Sequence, residues 1–339
     1  MRPRSLPSGK IDKLDIIIAM RIHILVLDEV FDTGLSTLLD TLRIANDLTD
    51  MAGASSTRFN VSVVGVRRRV RTAHRLAVPA VPALTAAQPD VVLVPALGAK
   101  NPDPLREALK RRDIKDAGAL LHQWSANGVL VGAACTGTFV LADTSLLDGQ
   151  RATTSWWLAP LFRERFPLVT LEESSMVVNS SGFVTAGAAL AHIDLALWLI
   201  RRSSPSVAEL AARFLLVEPR SSQAIFAIPD HLAHADPLVQ RFECWARHRL
   251  NKGFSLSEAA SSAGTSARTL SRRLHAVLGK SPLSYFQDLR VEHAVHLLRT
   301  SNDSIERIAA QVGYADGTTL RALLRRKIGR AVSELRKPY

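Results

Sequence analysis

Between Ser255 and Leu298 the apolar positions recur at helical spacing, and the interruptions fall where helix ends are expected. Leu256, Ala259, Ala260 and Ala263 form one apolar face, Gly264 breaks that helix, and the Ser266 hydroxyl is placed to cap the next. In that next helix Leu270, Leu274, Val277 and Leu278 are expected inside, leaving Arg268, Ser271, Arg272 and His275 outside. The unit recurs from Ser304 to Ile328. There Ile305, Ile308, Ala309 and Val312 form the face and Gly313 the break, and the basic helix that follows shows Thr318, Arg321 and Arg325. The glycine breaks lie 313 − 264 = 49 residues apart, while Leu270 and Leu274 map to Leu320 and Leu324 at a shift of 50, so the second turn is one residue longer. Between the units Pro282 to Leu298 predicts one longer helix with Leu283, Phe286, Leu289, His293 and Leu297 inward. An amphipathic helix over Asp236 to Asn251, with Leu238, Phe242, Trp245 and Leu250 inward, precedes the repeat.

The first half follows another rhythm. Ile22 to Leu27 and Asp90 to Pro95 are continuous apolar runs of the buried parallel-strand kind, and Phe59 to Val66 alternates like a strand with one wetter face. Leu35, Leu38, Leu39, Leu42, Ala45 and Leu48 form a helix face, and Ala117 to Asn127 before Gly128 forms another. Alternating strands and helices imply an α/β domain: a parallel sheet covered on both sides, with any ligand near the carboxyl ends of its strands. Arg67, Arg68, Arg69 and Arg71 read as a solvated hairpin. Ser203-Ser204-Pro205 marks a break, Val207 to Val217 a further helix, and Val217 to Pro237, rich in Pro, Ser and His, a linker. The expected division is a tail over 1–20, an α/β domain over 21–203, a connecting helix and linker over 204–235, and an all-α domain with two helix-turn-helix units over 236–339.

Charge sharpens this picture. The 339 residues carry a formal net charge of +12. Residues 236–339 hold 18 Lys+Arg and 9 Asp+Glu, 18 − 9 = +9, against 19 − 17 = +2 for residues 21–203. A basic helical repeat suits double-stranded DNA, whose phosphates release counterions to it. Arg matches the O6/N7 edge of guanine, so the expected DNA contacts are Ser266, Arg268, Thr269, Ser271, Arg272 and Arg273, then Thr318, Thr319, Arg321 and Arg325. Arg326 is expected to touch phosphate at most. No membrane partner is expected, because the longest early apolar run, IIIAM, is five residues and follows Asp15. Residues 1–19 lack the parts of a secretory signal. Two cysteines, Cys135 and Cys244, suit a reducing cytoplasm, with Cys244 beside Trp245 expected in or near the core. His231 and His234 stand without further ligands, so neither a metal site nor a cofactor is expected.

The sharpest chemistry in the first half is VLVGAACTGTFVL, Val129 to Leu141, where an apolar strand runs into Gly132-Ala133-Ala134-Cys135 and Thr136-Gly137-Thr138 opens a helix. This places a thiol on a tight strand-to-helix turn, where a helix N-terminus would favour thiolate and so open it to reversible oxidation. The bland alternative is an inert small side chain under a turn.

Two resemblances follow from these residues. AASSAGTSARTLSRRL, GKSPLSYFQDLRVEHAVHLL and SIERIAAQVGYADGTTLRALLRRKIG resemble the AraC/XylS family of transcriptional regulators over about a hundred C-terminal residues. Where that family has Gly-x-x-Pro and an aromatic before an Arg, Gly329, Val332, Leu335 and Arg336 stand here; Gly317 occupies a place where many members carry a base-reading side chain. The Cys135 stretch, with LLDGQRATTSWW and TAGAALAHIDLALWLI, is similar to the PfpI-like domain of the class I glutamine-amidotransferase-like superfamily, a flavodoxin-like parallel sheet with helices on both faces. The two together are the arrangement of GlxA-type regulators.

That resemblance implies a thiol hydrolase site, and the residues here depart from it. Ser155 stands where hydrolytic relatives place His, and the acid of other branches falls at Gly34, with Asp28, Glu29 and Asp32 nearby. His192 opens a helix and is a packing or capping residue as readily as a base. A thiolate without base and orienting partner is poorly equipped for acyl transfer. The expectation is therefore a cytoplasmic transcriptional regulator, catalytically degenerate, with an effector pocket of Asp28, Cys135, Thr136, Ser155 and His192. Its partners would be promoter DNA, a small effector such as an amino acid or nitrogenous metabolite, a second copy of the chain, and RNA polymerase. A thiol amidase using Cys135 and a sequence-independent DNA binder remain alternatives.

Overall fold

The computed structural model describes residues 19–52, 57–226, 236–329 and 331–336. The expected tail over residues 1–18 and the linker histidines His231 and His234 lie outside the described residues.

The α/β domain carries β1 (Ala19–Leu25), β2 (Arg58–Gly65), β3 (Arg69–Arg71), β4 (Ala77–Pro79), β5 (Val81–Pro82), β6 (Val91–Val94), β7 (Leu130–Ala134), β8 (Arg151–Ala152), β9 (Thr170–Leu171), β10 (Val177–Ser180) and β11 (Phe183–Ala186). Its main sheet has the order β10-β11-β7-β6-β1-β2-β5. The strands β2-β1-β6-β7-β11 are all parallel and run 2-1-3-4-5 among themselves, the flavodoxin-like order. Their runs are apolar because both faces are covered. Leu25, Val92, Val94 and Val131 look into one core with α2 (Pro102–Leu109), α3 (Arg112–Ala126), α4 (Gly137–Ala142) and α5 (Ala159–Arg165). Ile22, Ile24, Val91 and Leu93 look into the other, with α1 (Asp32–Ala52), α6 (Ala191–Ser203) and α7 (Pro205–Phe214). The arginine hairpin forms as β3 and β4, with Val70 buried between exposed Arg69 and Arg71.

The expected boundary at Ser203 is not where this core ends. Val207, Ala208, Ala211 and Ala212 of α7 belong to the same apolar cluster as α1 and α6. Ser204 caps α7 through a bond from the Val207 N–H, so the Ser-Ser-Pro signal marks a turn within the domain. Further on, Ser222 bridges Ser175 and Gln223 is fully buried among α/β residues.

The C-terminal domain consists of α8 (Pro237–Arg247), α9 (Leu256–Ser262), α10 (Ala267–Leu278), α11 (Pro282–Thr300), α12 (Ile305–Gln311), α13 (Gly317–Ile328) and α14 (Val332–Leu335). Helices α9–α10 and α12–α13 are the two helix-turn-helix units. Ser255, Ser266, Ser281 and Ser304 each accept a backbone N–H at a helix start, and Asp316 does so for α13. Leu270, Leu274 and Leu278 are buried in the first unit, as are Ile308, Val312, Leu320 and Leu324 in the second. Glu334 reaches back to the Ala331 N–H at 2.9 Å, which starts α14 without the proline of the resembling family.

Three inward assignments on α11 differ. Leu283 is 46% exposed, and His293 and Leu297 are only half-buried. Helix α11 buries Tyr285, Phe286 and Leu289 against the first unit but Val291, Ala294 and Leu298 against the second. At 3.6 residues per turn these sets lie on nearly opposite faces, so the single stripe expected from the sequence runs between them. Cys244 is exposed, not core, because α8 turns the neighbouring Phe242, Glu243 and Ala246 inward.

The domains touch where α10 meets α5. Arg163 of α5 donates from Nη2 to the Val277 carbonyl at 3.0 Å and from Nη1 to Glu173 at 2.5 Å. A cation on the last carbonyls of a helix satisfies orphan acceptors and complements the helix dipole.

The two turn glycines separate conformation from packing. Gly264 has φ +69° with open space where a Cβ would sit, whereas at Gly313, φ +79°, a Cβ would come within 2.4 Å of the Leu250 carbonyl oxygen. Gly264→Ala should cost about 1–2 kcal/mol from its left-handed backbone alone. Gly313→Ala should cost clearly more, as read by urea unfolding of both variants; equal losses would show that the close approach to Leu250 is not felt.

Candidate functional site

The strand-to-helix turn forms as expected, and it is sealed. Cys135 has φ +55°, a left-handed backbone that a non-glycine residue adopts at a cost, and its N–H bonds the Ala186 carbonyl at 2.9 Å across to β11. Its carbonyl accepts the Thr154 hydroxyl at 2.7 Å, and its sulfur lies 2.8 Å from the Ser155 hydroxyl. Cys135 is 4% exposed; Thr154 and Ser155 are fully buried. Thr136 is also committed: its hydroxyl donates to the Leu97 carbonyl at 2.9 Å and accepts the Leu97 N–H at 2.8 Å.

Of the two readings of the thiol, the electrostatics favour the inert one. Burial pushes the Cys135 thiol above its ordinary range, outweighing the hydrogen bonds from Ser155 and Thr136 that favour the anion. The helix it precedes is only six residues long, so its dipole offers little against that desolvation. Burial therefore favours the neutral SH, the inert alternative, over the low-pKa, oxidation-prone thiolate that the turn by itself suggests.

His192 gives no base either. Its Nε2 accepts the Ala96 N–H at 3.0 Å, so Nδ1 carries the proton and donates to the Ala189 carbonyl at 2.7 Å. Both nitrogens are taken by backbone. Burial lowers its pKa to about 4 against the raising effect of the Ala189 bond. A Cβ at Gly34 would fall 2.5 Å from Nε2, so the imidazole occupies the space where the family resemblance sets an acidic side chain. Asp28 stands apart from the cysteine: one carboxylate oxygen takes Arg67 at 2.6 Å and the other takes the Arg71 N–H at 3.1 Å. It clamps the β1 loop to the arginine hairpin. Of the five expected pocket residues, Cys135 meets Ser155 and its chain neighbour Thr136; the Thr136 hydroxyl and the His192 ring also brace the neighbouring 96–97 loop.

Two residues that sequence patterning did not single out organise this edge. Gln223 donates from Nε2 to the Thr154 and Glu173 carbonyls, both at 2.8 Å, and Arg163 joins Glu173 to α10. Neither lies in a periodic or motif-like stretch, so no local signal marks them.

On the helical domain Arg268, Arg272 and His275 are exposed on α10, with Ser271 half-exposed, as the amphipathic pattern requires. Ser266 and Thr269 bond to each other at the helix start, hydroxyl to hydroxyl at 3.0 Å. Arg273 differs from its neighbours because its guanidinium pairs with Asp236, the cap of α8. On α13 Thr318, Thr319, Arg321 and Arg325 are exposed; Thr319 is tied to Asp316, and Arg321 forms a surface pair with Glu306 at 3.1 Å. Such exposed pairs are weak and easily exchanged for phosphate or base. Gly317 is buried, and a Cβ there would sit 3.1 Å from Ile305 and 2.8 Å from Glu306. It is a contact between α12 and α13, which explains the missing side chain.

Two expectations follow from the sealed turn. Iodoacetamide at pH 8 should label exposed Cys244 in the native protein and reach Cys135 only after unfolding; rapid native labelling of Cys135 would refute its burial. The second is a pH effect. His192 binds its proton more readily when unfolded, so its contribution is complete above about pH 6.5 and is lost as pH falls toward 4. The shift from 6.5 to about 4 corresponds to at most about 3 kcal/mol. His192→Gln should flatten the fall in urea midpoint between pH 7.5 and 5, whereas an unchanged slope would remove His192 as its source.

The DJ-1/PfpI family model matches residues 20–202, and a helix-turn-helix domain model matches residues 259–338. The HTH-type transcriptional regulator CdhR of Pseudomonas aeruginosa is 28% identical over 233 residues, 63% of this chain and 69% of the relative. GlxA of Rhizobium meliloti, likewise an HTH-type transcriptional regulator, is 25% identical over 222 residues, 64% of this chain and 68% of the relative. These two and the regulators GbdR and ArgR of Pseudomonas aeruginosa are spanned over 57 to 69% of their length. A solved THiJ/PfpI family protein from Pseudomonas syringae superposes with a TM-score of 0.51 at 17% identity, covering 77% of this chain and 98% of that one, which shows the shared fold. With more than half of its residues matched, the chain belongs to the DJ-1/PfpI family, and it carries an AraC-type helix-turn-helix domain behind that fold.

Proposed function

We propose that this chain is a sequence-specific DNA-binding transcriptional regulator whose DJ-1/PfpI domain senses a small effector and does not hydrolyse it. The double helix-turn-helix carries the reading: two capped helices, each buried on one side, expose Arg268 and Arg272 and then Arg321 and Arg325. They do so on the part of the chain that holds most of its net positive charge. Similarity to regulators supports it. The α/β domain supports the second clause, since a neutral buried thiol facing a serine hydroxyl, with both histidine nitrogens engaged, has no group to deprotonate it.

In this reading the effector is an amino acid or another nitrogenous metabolite, and binding shifts a population between two arrangements of the DNA-binding domains. Contact with Cys135, Thr136, Ser155 or His192 requires an opened state, because all four are buried here. Two copies of the chain on one promoter, and contact with RNA polymerase, complete the proposal. Its place is the cytoplasm, where promoter DNA is reached; no helix among the described residues is long and apolar enough to cross a membrane.

The test divides the arginines. Arg272→Ala should lose about 1–3 kcal/mol of binding and relax the preference at one base position, as read by binding-site selection and titration. Arg273→Ala should instead lower the stability of the helical domain through loss of its Asp236 partner, with base preference unchanged. Equal weakening on all sequences by Arg272→Ala would reduce that residue to a phosphate contact, and wild-type protein with no sequence preference would overturn the regulator reading.

A further inference from the structure

A cavity of about 740 Å³ lies between the two domains, within the size range of small-molecule sites. Three parts of the chain line it: Trp156 and Glu173 from the α/β domain, Phe226 from the connector, and α11 and α13 of the helical domain through Val295, Arg326 and their neighbours. Much of the wall is apolar, which suits an occupant with an apolar body.

The charges on the wall are not balanced. Glu173 is paired with Arg163 at 2.5 Å and lies 3.7 Å from Lys280. Asp288 is held by Lys280 at 3.0 Å and by Lys327. Glu292 meets Arg247 at 3.1 Å. Every carboxylate on the wall thus has its cation. The Arg326 guanidinium, exposed on α13, has no ion-pair or hydrogen-bond partner among the described residues. An apolar recess with a guanidinium to spare matches an organic anion, because the fork of Arg donates two parallel bonds to a carboxylate or sulfonate.

The cavity adjoins the contact between the domains. Glu173 and Lys280 belong both to its wall and to the group that meets the end of α10, where Arg163 bonds the Val277 carbonyl. A molecule that touches both domains binds the docked arrangement better than the undocked one, and so shifts that equilibrium by its differential affinity. We propose that this cavity is a binding site for a small organic anion with an apolar body, and that its occupant sets how firmly the first reading helix is held on the α/β domain. The proposal rests on the regulator reading above for its consequence on DNA, and adds a ligand site separate from the Cys135 turn.

The experiment uses the full chain and two fluorescent probes of similar shape, anionic 8-anilinonaphthalene-1-sulfonate and neutral N-phenyl-1-naphthylamine. Wild-type protein should bind the anion saturably, one per chain. Val295→Trp, which fills the recess, should weaken both probes by about tenfold or more. Arg326→Ala should weaken the anionic probe by about tenfold and leave the neutral one nearly unchanged. Cys135→Ser should alter neither. Saturating anionic probe should change the affinity of wild type for its operator by about fivefold or more, and leave Val295→Trp unresponsive. If Val295→Trp, folded by circular dichroism, binds the anionic probe like wild type, the site is refuted. Equal losses of both probes in Arg326→Ala would refute the anion. Probe binding that behaves as expected in a protein without DNA preference would keep the site and sink the regulator reading instead.

Discussion

Backbone carbonyls turned into a protein interior must find donors, and at the carboxyl edge of this sheet the donor arrives from the connector. The amide nitrogen of Gln223 lies 2.8 Å from both the Thr154 and Glu173 carbonyls. An NH2 group has two protons, so these two bonds use them, and the longer approaches to Thr153 and Ser175 at 3.2 and 3.4 Å are secondary. Each carbonyl left without its donor would cost about 1–3 kcal/mol. Thr154 passes a hydroxyl bond to the Cys135 carbonyl, and the Glu173 carboxylate meets Arg163, which bonds the end of α10. One continuous run of bonds thus joins the strained turn to the first reading helix, with a connector side chain as its middle link.

The same seal decides what the turn can do. A strand-to-helix elbow presents a nucleophile when the side chain opens to solvent beside a base. Here the elbow geometry survives, φ +55° at Cys135 included, while the surroundings that would charge the thiol do not. Desolvation outweighs a six-residue helix dipole and the hydrogen bonds from Ser155 and Thr136. Ser155 offers a hydroxyl and no basic nitrogen, and the imidazole of His192 is spent on Ala96 and Ala189. What remains is a rigid joint among β7, β11 and the Thr153–Ser155 segment, fit to hold strand ends in register.

In the helical domain the shared element is α11, buried on nearly opposite faces by the two units. A helix clamped on both sides resists rotation, so the separation of the reading helices is set by packing on one rod. Arg290 of α11 adds bonds to the Leu250 carbonyl and to Lys252, closing the first unit against the Gly313 turn. The exposed arginines keep a simpler task because the interior is satisfied without them.

The helical repeat, its glycine breaks, its serine caps and its outward arginines were legible in the sequence, since periodicity and capping act within a few residues. The buried strands were legible for the same reason, and the turn at Cys135 was visible in Gly132-Ala133-Ala134-Cys135-Thr136-Gly137. Family resemblance added the strand order, which no local pattern contains. Periodicity reports which side of an element is apolar but not what covers it. So the sequence could not show that α11 has two buried faces, that Cys244 looks outward where a core place was expected, that α7 completes the α/β core and that Gly317 is a packing contact. The state of Cys135 was decided only by tertiary structure, because a pKa answers to burial, and burial is contributed by Thr154, Ser155 and Ala186 from distant parts of the chain. The joining of Arg163 to Val277 across 114 residues is of the same kind: a helix end marks itself in sequence, while the cation that satisfies it is chosen by the packing of two domains.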